Sequence, residues 1–141
     1  GQFITFLKER VSLPLFKNGK RIVYSEFRTD NNYIQNFFDL LVLPSTNPDP
    51  LPTVVLEAMA SGTPVIGYKH GGVTEMIRDS KDGRLADIND PIDLRQKVKS
   101  TLDNNKLNLY GKNARVRQAR EFSLQTFITN FEAMYTKLII S

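Results

Sequence analysis

The strongest constraint on the fold is a short apolar run, Leu-Leu-Val-Leu at residues 40–43, which a proline ends. A run of this kind, without polar alternation, is typical of a strand buried on both faces of a parallel sheet. The next segment, Asn-Pro-Asp-Pro-Leu-Pro at residues 47–52, cannot be regular structure because it contains three prolines. Pro52 is well placed to open a helix over residues 53–61, and Gly62 ends it. Together these signals predict a strand, a stiff loop and a helix.

Strand and helix patterns alternate along the rest of the chain. Further strands are predicted at residues 21–25, 64–68 and 83–86. Helices are predicted at residues 3–16 (up to a proline at 14), 32–38, 73–78, 91–102, 107–122 and 124–140, the last with Ser123 as its N-cap. This order predicts an α/β fold, a partial Rossmann-like parallel sheet with flanking and C-terminal helices. Without a repeat or linker, residues 1–141 are expected to form a single domain.

Composition limits the classes of protein that the chain can belong to. With 40% hydrophobic and 24% charged residues, its 141 residues suit one globular domain. The lack of cysteine excludes disulfides, thiolate nucleophiles and cysteine-based metal sites, and it permits a reducing compartment. No apolar run approaches the roughly 20 residues that span a bilayer, and the first residues do not resemble a signal peptide. We expect a cytoplasmic protein.

The net charge of +4 and a pI near 9.4 favour anionic partners: nucleotide diphosphates, nucleic acid or an anionic membrane face. Much of the positive charge lies between Lys97 and Arg120, where Asp103 is the sole acidic residue. These residues fall in predicted terminal helices with little aromatic interleaving and no recognised nucleic-acid module. A solvated helix surface is therefore favoured, and no nucleic-acid partner is expected.

In an open parallel sheet, ligands bind beyond the carboxyl ends of the strands. Three segments fall on that rim, at residues 26–30, 45–52 and 69–72. The second leads into the helix of residues 53–61, so the backbone N–H groups of Thr53, Val54 and Val55 would lie at a helix N-terminus, where a phosphate or sugar oxygen is favoured. An ordinary connecting loop without a ligand accounts equally well for this feature.

Two carboxylates accompany this segment, Asp49 on the loop and Glu57 on the helix. Carboxylates suit sugars because each accepts hydroxyl hydrogen bonds, so this pair could line one end of a hydroxyl-rich ligand. Glu57 stands in an otherwise apolar helix and should be paired or face a cleft. The alternatives are a half-exposed glutamate favoured by the helix dipole, and an Asx turn at Asp49 between two prolines.

The third rim segment contains Gly71 and Gly72, which would let the backbone approach a ligand closely. His70 is the sole histidine; a structural or exposed role is favoured over donation to a phosphate, and it cannot form a metal site alone. The sequence contains no dinucleotide-binding glycine motif, P-loop, Ser-His-Asp set or metal-ligand cluster. Hydride transfer, ATP hydrolysis and metallohydrolase chemistry therefore lose support.

A series of motifs closely resembles the donor-binding, C-terminal domain of GT-B glycosyltransferases of group 1, or family 4. The motifs are Pro-Ser at 44–45, DPLPTVVLE at 49–57 running into AMASGTPVI at 58–66, GGVTEMI at 71–77, DGRL at 82–85 and REFS at 120–123. The resemblance covers nearly the whole chain. It implies a GT-B lobe that binds a nucleotide-diphosphate sugar, UDP- or GDP-linked, as donor substrate. It also implies a retaining hexosyl transfer that needs neither metal nor cofactor.

The resemblance also assigns roles to individual residues. Glu57 matches the second glutamate of an E-x7-E motif, which holds the ribose hydroxyls of the donor. Asp49 matches the first carboxylate, which contacts the donor sugar, although the family has glutamate there. Residues 52–53 are Pro-Thr instead of the usual Gly-Leu. Phe27 and Arg28 belong to a loop that matches the one near the nucleobase.

By the same resemblance, the acceptor lobe and the start of the donor lobe, with a basic pair that neutralises the leaving diphosphate, would precede Gly1. We therefore expect the isolated chain to be inactive and the parent to transfer a hexose to a glycan or lipid-linked acceptor, as in capsular or cell-surface polysaccharide synthesis. A lipid-linked acceptor would place the parent at the inner membrane face. The alternatives are a non-catalytic nucleotide-sugar-binding module, a subunit that needs a partner chain, and a GT-B epimerase or phosphorylase relative.

Overall fold

The structure is a computed structural model that describes residues 31–140, with side chains from Tyr33 onward. The predicted helix at residues 3–16, the predicted strand at 21–25 and the rim segment at 26–30 lie outside the described residues.

The described sheet has three parallel strands in the order β1-β2-β3. They are β1 (Leu41–Leu43), β2 (Val65–Tyr68) and β3 (Gly83–Ala86). In this register Ile66 of β2 lies beside Val42 on one side and Arg84 on the other. The predictions of strands at 64–68 and 83–86 are confirmed to within one residue.

Helices fill the connections and the C-terminal part. They are α1 (Asn31–Ile34) with a 3-10 turn (Gln35–Phe37), α2 (Thr53–Ser61), α3 (Val73–Met76), α4 (Pro91–Asp103), α5 (Leu107–Glu121) and α6 (Leu124–Ile140). Ser123 accepts a hydrogen bond from the Thr126 N–H at 3.2 Å, as an N-cap should. The predicted helices that fall within residues 31–140 are confirmed in place and order, and so is the α/β fold class.

The core lies on both faces of the sheet because side chains alternate along β2. Val65 packs in one cluster with Met59 of α2, Met76 of α3 and Ala114 of α5. The opposite face of β2 packs in a second cluster with Leu94 of α4. Helices thus cover the sheet from two sides, and the carboxyl ends of the strands are left for a ligand.

Two glycines let helices α2 and α5 pack closely. Gly62 ends α2 in the left-handed conformation at φ +76°, and its N–H caps the carbonyl groups of the last turn. A Cβ on Gly111 of α5 would lie 2.1 Å from the Gly62 carbonyl oxygen. Only glycine therefore fits at position 111 without displacing one helix from the other.

Two details of the prediction are wrong. The apolar run at residues 40–43 is not buried on both faces, since Val42 is 38% exposed and β1 pairs only with β2 within the described residues. Helix α3 ends at Met76 instead of residue 78, because Ile77 is extended and the Arg78 N–H donates to the Asp82 carboxylate at 3.3 Å. The first difference reflects how the strands pair, and the second reflects a side chain four residues away that competes for a backbone N–H.

Candidate functional site

A cavity of about 160 Å³ lies at the carboxyl ends of β1 and β2. Its walls come from the proline-rich loop (residues 45–52), the start of α2 and the turn after β2 (residues 69–72). The loop and the turn are two of the three predicted rim segments. The lining residues are Leu43, Ser45, Asn47, Asp49, Pro52, Thr53, Val54, His70 and Val73. This is the donor cavity in the following paragraphs, and its position is the one expected for a ligand of an open parallel sheet.

The proline-rich loop is held against the turn after β2 by two hydrogen bonds. His70 Nε2 lies 2.7 Å from the Ser45 carbonyl oxygen, and Gly72 N–H donates to the Asp49 carbonyl oxygen at 2.9 Å. Because a carbonyl only accepts, His70 Nε2 must carry the proton. His70 therefore has a structural role in the walls of the cavity, the reading that the sequence favoured.

The two glycines of that turn make the close approach possible. Gly71 has φ +51°, and a Cβ there would lie 2.7 Å from the Asp49 carbonyl oxygen. A Cβ on Gly72 would lie 2.0 Å from the Pro50 carbonyl oxygen. The sequence suggested that these glycines admit a ligand; in the structure the backbone that they admit belongs to the chain's own loop.

Asp49 forms the Asx turn that the sequence left open as an alternative. Its Oδ1 accepts the Leu51 N–H at 2.9 Å. Within the part of the chain that the structure describes, Oδ2 has no hydrogen-bond partner, and the residue lines the donor cavity. The turn thus fixes the carboxylate in place and leaves one oxygen for a ligand.

Two of the three predicted backbone donors are available at the start of α2. Thr53 and Val54 line the donor cavity, and their N–H groups lie in the first turn, where no intrahelical acceptor exists. Val55 differs from them because its N–H donates to the Pro52 carbonyl oxygen at 2.9 Å and its side chain is fully buried in the core. The Val55 N–H is thus already paired within the chain, and its contact with an anion stays a prediction.

Glu57 is both paired and open to a cavity, as its apolar surroundings predicted. Its Oε2 accepts a hydrogen bond from Gln35 Nε2 at 3.0 Å. The cavity that it lines measures about 230 Å³ and also contacts Asn36, Ala60 and Ser61. This second cavity is separate from the donor cavity, so in this structure Asp49 and Glu57 do not line one pocket.

Gln35 is the residue of this site that sequence reasoning missed. It lies 22 positions before Glu57, in a segment predicted only as a short helix. Its place within the core depends on how that segment packs against α2, which no local pattern encodes. The predicted nucleobase contacts Phe27 and Arg28 lie outside the described residues.

A buried ion-pair cluster supports the element that follows the glycine turn. Asp82 is fully buried and binds the guanidinium groups of Arg78 and Arg117. Burial alone would raise the pKa of Asp82, but hydrogen bonds from Arg78 and from Arg117 outweigh this effect and lower the pKa below its usual value. Arg117 also donates to the carbonyl oxygens of Glu75 and Met76, so it ties the end of α3 to α5.

Residues 31–140 contain no group of three or more histidine, cysteine, aspartate or glutamate side chains that could hold a metal ion. In the same part of the chain, no helix has the length and apolar character needed to cross a membrane.

The family described as "Glycosyl transferases group 1" matches residues 13–117, which is more than half of the chain. The chain belongs to this family. Its parallel sheet and flanking helices are those of a GT-B lobe, as the sequence motifs implied.

Curated relatives in the family are longer proteins. The chain is 36% identical over 98 residues to a D-inositol 3-phosphate glycosyltransferase of Geodermatophilus obscurus, covering 70% of this chain and 21% of the relative. It is 32% identical over 102 residues to an exopolysaccharide phosphotransferase of Streptomyces coelicolor, covering 71% and 11%. The chain spans about a tenth to a third of the curated relatives that it matches.

Solved structures share the fold. HepE of Anabaena in complex with UDP-glucose superposes with a TM-score of 0.81 at 23% identity, covering 96% of this chain and 37% of that one. The C-terminal domain of a group 1 glycosyl transferase from Francisella tularensis gives a TM-score of 0.73 at 24% identity, covering 87% and 64%. At these identities the likeness establishes the architecture of a glycosyltransferase lobe.

Proposed function

We propose that this chain is the donor-binding part of a retaining glycosyltransferase that transfers a hexose from a UDP- or GDP-sugar to a glycan or lipid-linked acceptor. One observation carries the proposal. In the donor cavity the Asp49 carboxylate faces the same space as the unpaired N–H groups of Thr53 and Val54. A hydrogen-bond acceptor for hydroxyl groups and hydrogen-bond donors for anionic oxygens thus lie in one pocket, which suits a sugar joined to a diphosphate.

The chemistry of the pocket follows from these groups. The partial positive charge at the start of α2 stabilises phosphate oxygens, and it does so more strongly as negative charge develops on the leaving diphosphate. Asp49 Oδ2 accepts a hydroxyl of the donor sugar, and the Asx turn prevents this carboxylate from rotating away. Glu57 accepts the ribose hydroxyls in the second cavity. No metal or cofactor is required in this scheme.

Named relatives support the choice of donor and acceptor class. HepE has been solved with UDP-glucose, with UDP and glucose, and with UDP. An Escherichia coli relative, 25% identical over 122 residues and covering 86% of this chain and 31% of that protein, is a UDP-Gal:alpha-D-GlcNAc-diphosphoundecaprenol alpha-1,3-galactosyltransferase. A lipid-linked acceptor would bring the parent protein to the inner face of the membrane.

Calorimetric titration of the chain with UDP, GDP and UDP-sugars tests the proposal. Asp49→Asn keeps an oxygen for the Asx turn but removes the charge, so it should weaken UDP-sugar binding about 10-fold and leave UDP binding unchanged. Thr53→Pro removes one N–H at a position where helices tolerate proline, so it should weaken the binding of both UDP and the UDP-sugar. Glu57→Ala should also weaken the binding of both.

Glu132→Ala is the matched control, because Glu132 is an exposed carboxylate on α6 away from both cavities. The proposal fails if the wild-type chain binds no nucleotide, or if Glu57→Ala and Glu132→Ala bind UDP equally well.

Catalysis requires a second assay, on the longer parent protein. Transfer of the hexose with retained anomeric configuration, undiminished by a chelator, is the expected result, while the isolated chain should bind donor without turnover. Donor binding without transfer in the parent would instead favour the non-catalytic nucleotide-sugar-binding module.

A further inference from the structure

The carboxylate of Glu57 rests on a buried amide. Gln35 is only 4% exposed, and its Nε2 donates to Glu57 Oε2 at 3.0 Å. Building on the proposed function, we propose that Gln35 is a positioning residue: it holds the Glu57 carboxylate turned toward the second cavity, where the carboxylate binds the vicinal hydroxyls of the nucleotide ribose.

Gln35 can serve this role because its own backbone is fixed. The Gln35 carbonyl oxygen accepts hydrogen bonds from Thr63 Oγ1 at 2.9 Å and from the Phe38 N–H at 3.2 Å. Thr63 is 3% exposed and follows the glycine that ends α2. The residue that supports Glu57 is thus anchored to the far end of the helix that carries Glu57.

An amide is well suited to this support. It donates a hydrogen bond but carries no charge, so the full negative charge of Glu57 remains for a ligand. An arginine or lysine partner would instead neutralise the charge of Glu57. An ionised carboxylate offers about four lone-pair sites, and Gln35 uses one of them. Glu57 Oε1 and the remaining site of Oε2 stay available for two hydroxyl groups.

The burial of Gln35 has a cost that core stability alone does not explain. Its Oε1 is buried and has no hydrogen-bond partner in the described residues. An unpaired buried acceptor destabilises the folded chain, and an apolar side chain of similar size would avoid this cost. Rotating the amide by half a turn would exchange Oε1 and Nε2 and would place one acceptor, Oε1, against another, the Glu57 carboxylate. The orientation observed serves Glu57.

The test is a calorimetric UDP titration of the full 141-residue chain carrying Gln35→Leu, with Thr101→Val as the matched control. Thr101 is 1% exposed, its Oγ1 donates to the Lys97 carbonyl oxygen within α4 at 2.8 Å, and it lines neither cavity. Both variants remove a buried hydrogen-bonding group and lower stability, but only Gln35→Leu removes the donor to Glu57. We expect UDP affinity to fall about 10-fold in Gln35→Leu and to stay within about 2-fold of wild type in Thr101→Val.

Gln35→Glu adds a readout that a purely structural role would not give. It places a second carboxylate against Glu57, so UDP affinity relative to wild type should be low at pH 8 and recover as the pH falls to 5, when one shared proton restores the hydrogen bond. Equal affinity of Gln35→Leu and wild type, with Glu57→Ala still impaired, overturns this inference and leaves the proposed function intact.

A wild-type chain that binds no UDP overturns the proposed function instead, and a measurement without nucleotide then decides the contact itself. The side-chain amide resonances of Gln35 should shift when Glu57→Gln is introduced and stay in place in Glu132→Ala. Unchanged resonances in Glu57→Gln overturn the inference.

Discussion

Gly72→Ala adds one methyl group where the turn after β2 contacts the proline-rich loop of the donor cavity. The new Cβ would lie 2.0 Å from the Pro50 carbonyl oxygen and 2.7 Å from its carbon, whereas such contacts are essentially never shorter than 3.0 Å. The proline-rich loop must therefore retreat by about 1 Å. The hydrogen bond from Gly72 N–H to the Asp49 carbonyl oxygen, now 2.9 Å, would stretch to roughly 3.9 Å and be lost.

The expected loss of stability combines two effects. Overpacking of a closed contact costs about 1–3 kcal/mol, and the lost hydrogen bond about 1 kcal/mol more, which gives about 2–4 kcal/mol. Backbone strain adds nothing, since Gly72 has an ordinary φ of −64°. Gly62→Ala is the matched control: its φ of +76° penalises alanine by about 1–2 kcal/mol, but its nearest contact would be 3.8 Å.

Urea unfolding followed by far-UV circular dichroism measures the stability of both variants, and UDP-sugar titration measures the cavity. Gly72→Ala should be the less stable variant and the one that binds the donor more weakly, because the retreating loop carries Asp49. A Gly72→Ala chain as stable as Gly62→Ala, or one that keeps wild-type donor affinity, would refute the reasoning.

Three further results are expected. Gly111→Ala should lower the free energy of unfolding by about 3 kcal/mol, because its Cβ would meet the Gly62 carbonyl oxygen at 2.1 Å between two packed helices; urea unfolding would show it. Asp90→Ala removes the N-cap of α4 and should cost about 1 kcal/mol in the same assay, whereas Asp90→Ser should cost little. Hydrogen bonds, first from Arg117, lower the pKa of Glu121 from 4.5 to about 2. Its contribution to stability is therefore complete above pH 4.5 and is lost as the pH falls toward 2, and Arg117→Gln should flatten that dependence in urea unfolding between these values.

Elements bounded by strong local signals could be predicted from the sequence. Pro52 and Gly62 bracket α2, and Asp90 followed by proline opens α4. The exposure of β1 and the early end of α3 could not, because each depends on residues distant in the sequence or on a side chain that competes for a backbone N–H. Val42 is exposed because of its place in the sheet, although the apolar run around it predicts burial.

The candidate site divides in the same way. Asp49, Thr53 and Val54 could be placed at the rim because they follow a strand directly, and the structure brings them to one cavity. The hydrogen bond between His70 and Ser45 joins residues 25 positions apart, and the hydrogen bond from Gln35 to Glu57 joins residues 22 positions apart. Such pairings result from packing, so a single sequence does not reveal them.

The two hydrogen bonds between the proline-rich loop and the turn after β2 have a thermodynamic consequence for ligand binding. The two hydrogen bonds restrict residues 45–52 in the folded chain, and the backbone entropy of each ordered residue, about 1 kcal/mol, is lost during folding. A donor therefore enters a loop that does not have to be ordered again. The entropy of donor binding, measured by calorimetry, should therefore be less unfavourable for the wild-type chain than for His70→Ala, which lacks the hydrogen bond to the Ser45 carbonyl oxygen.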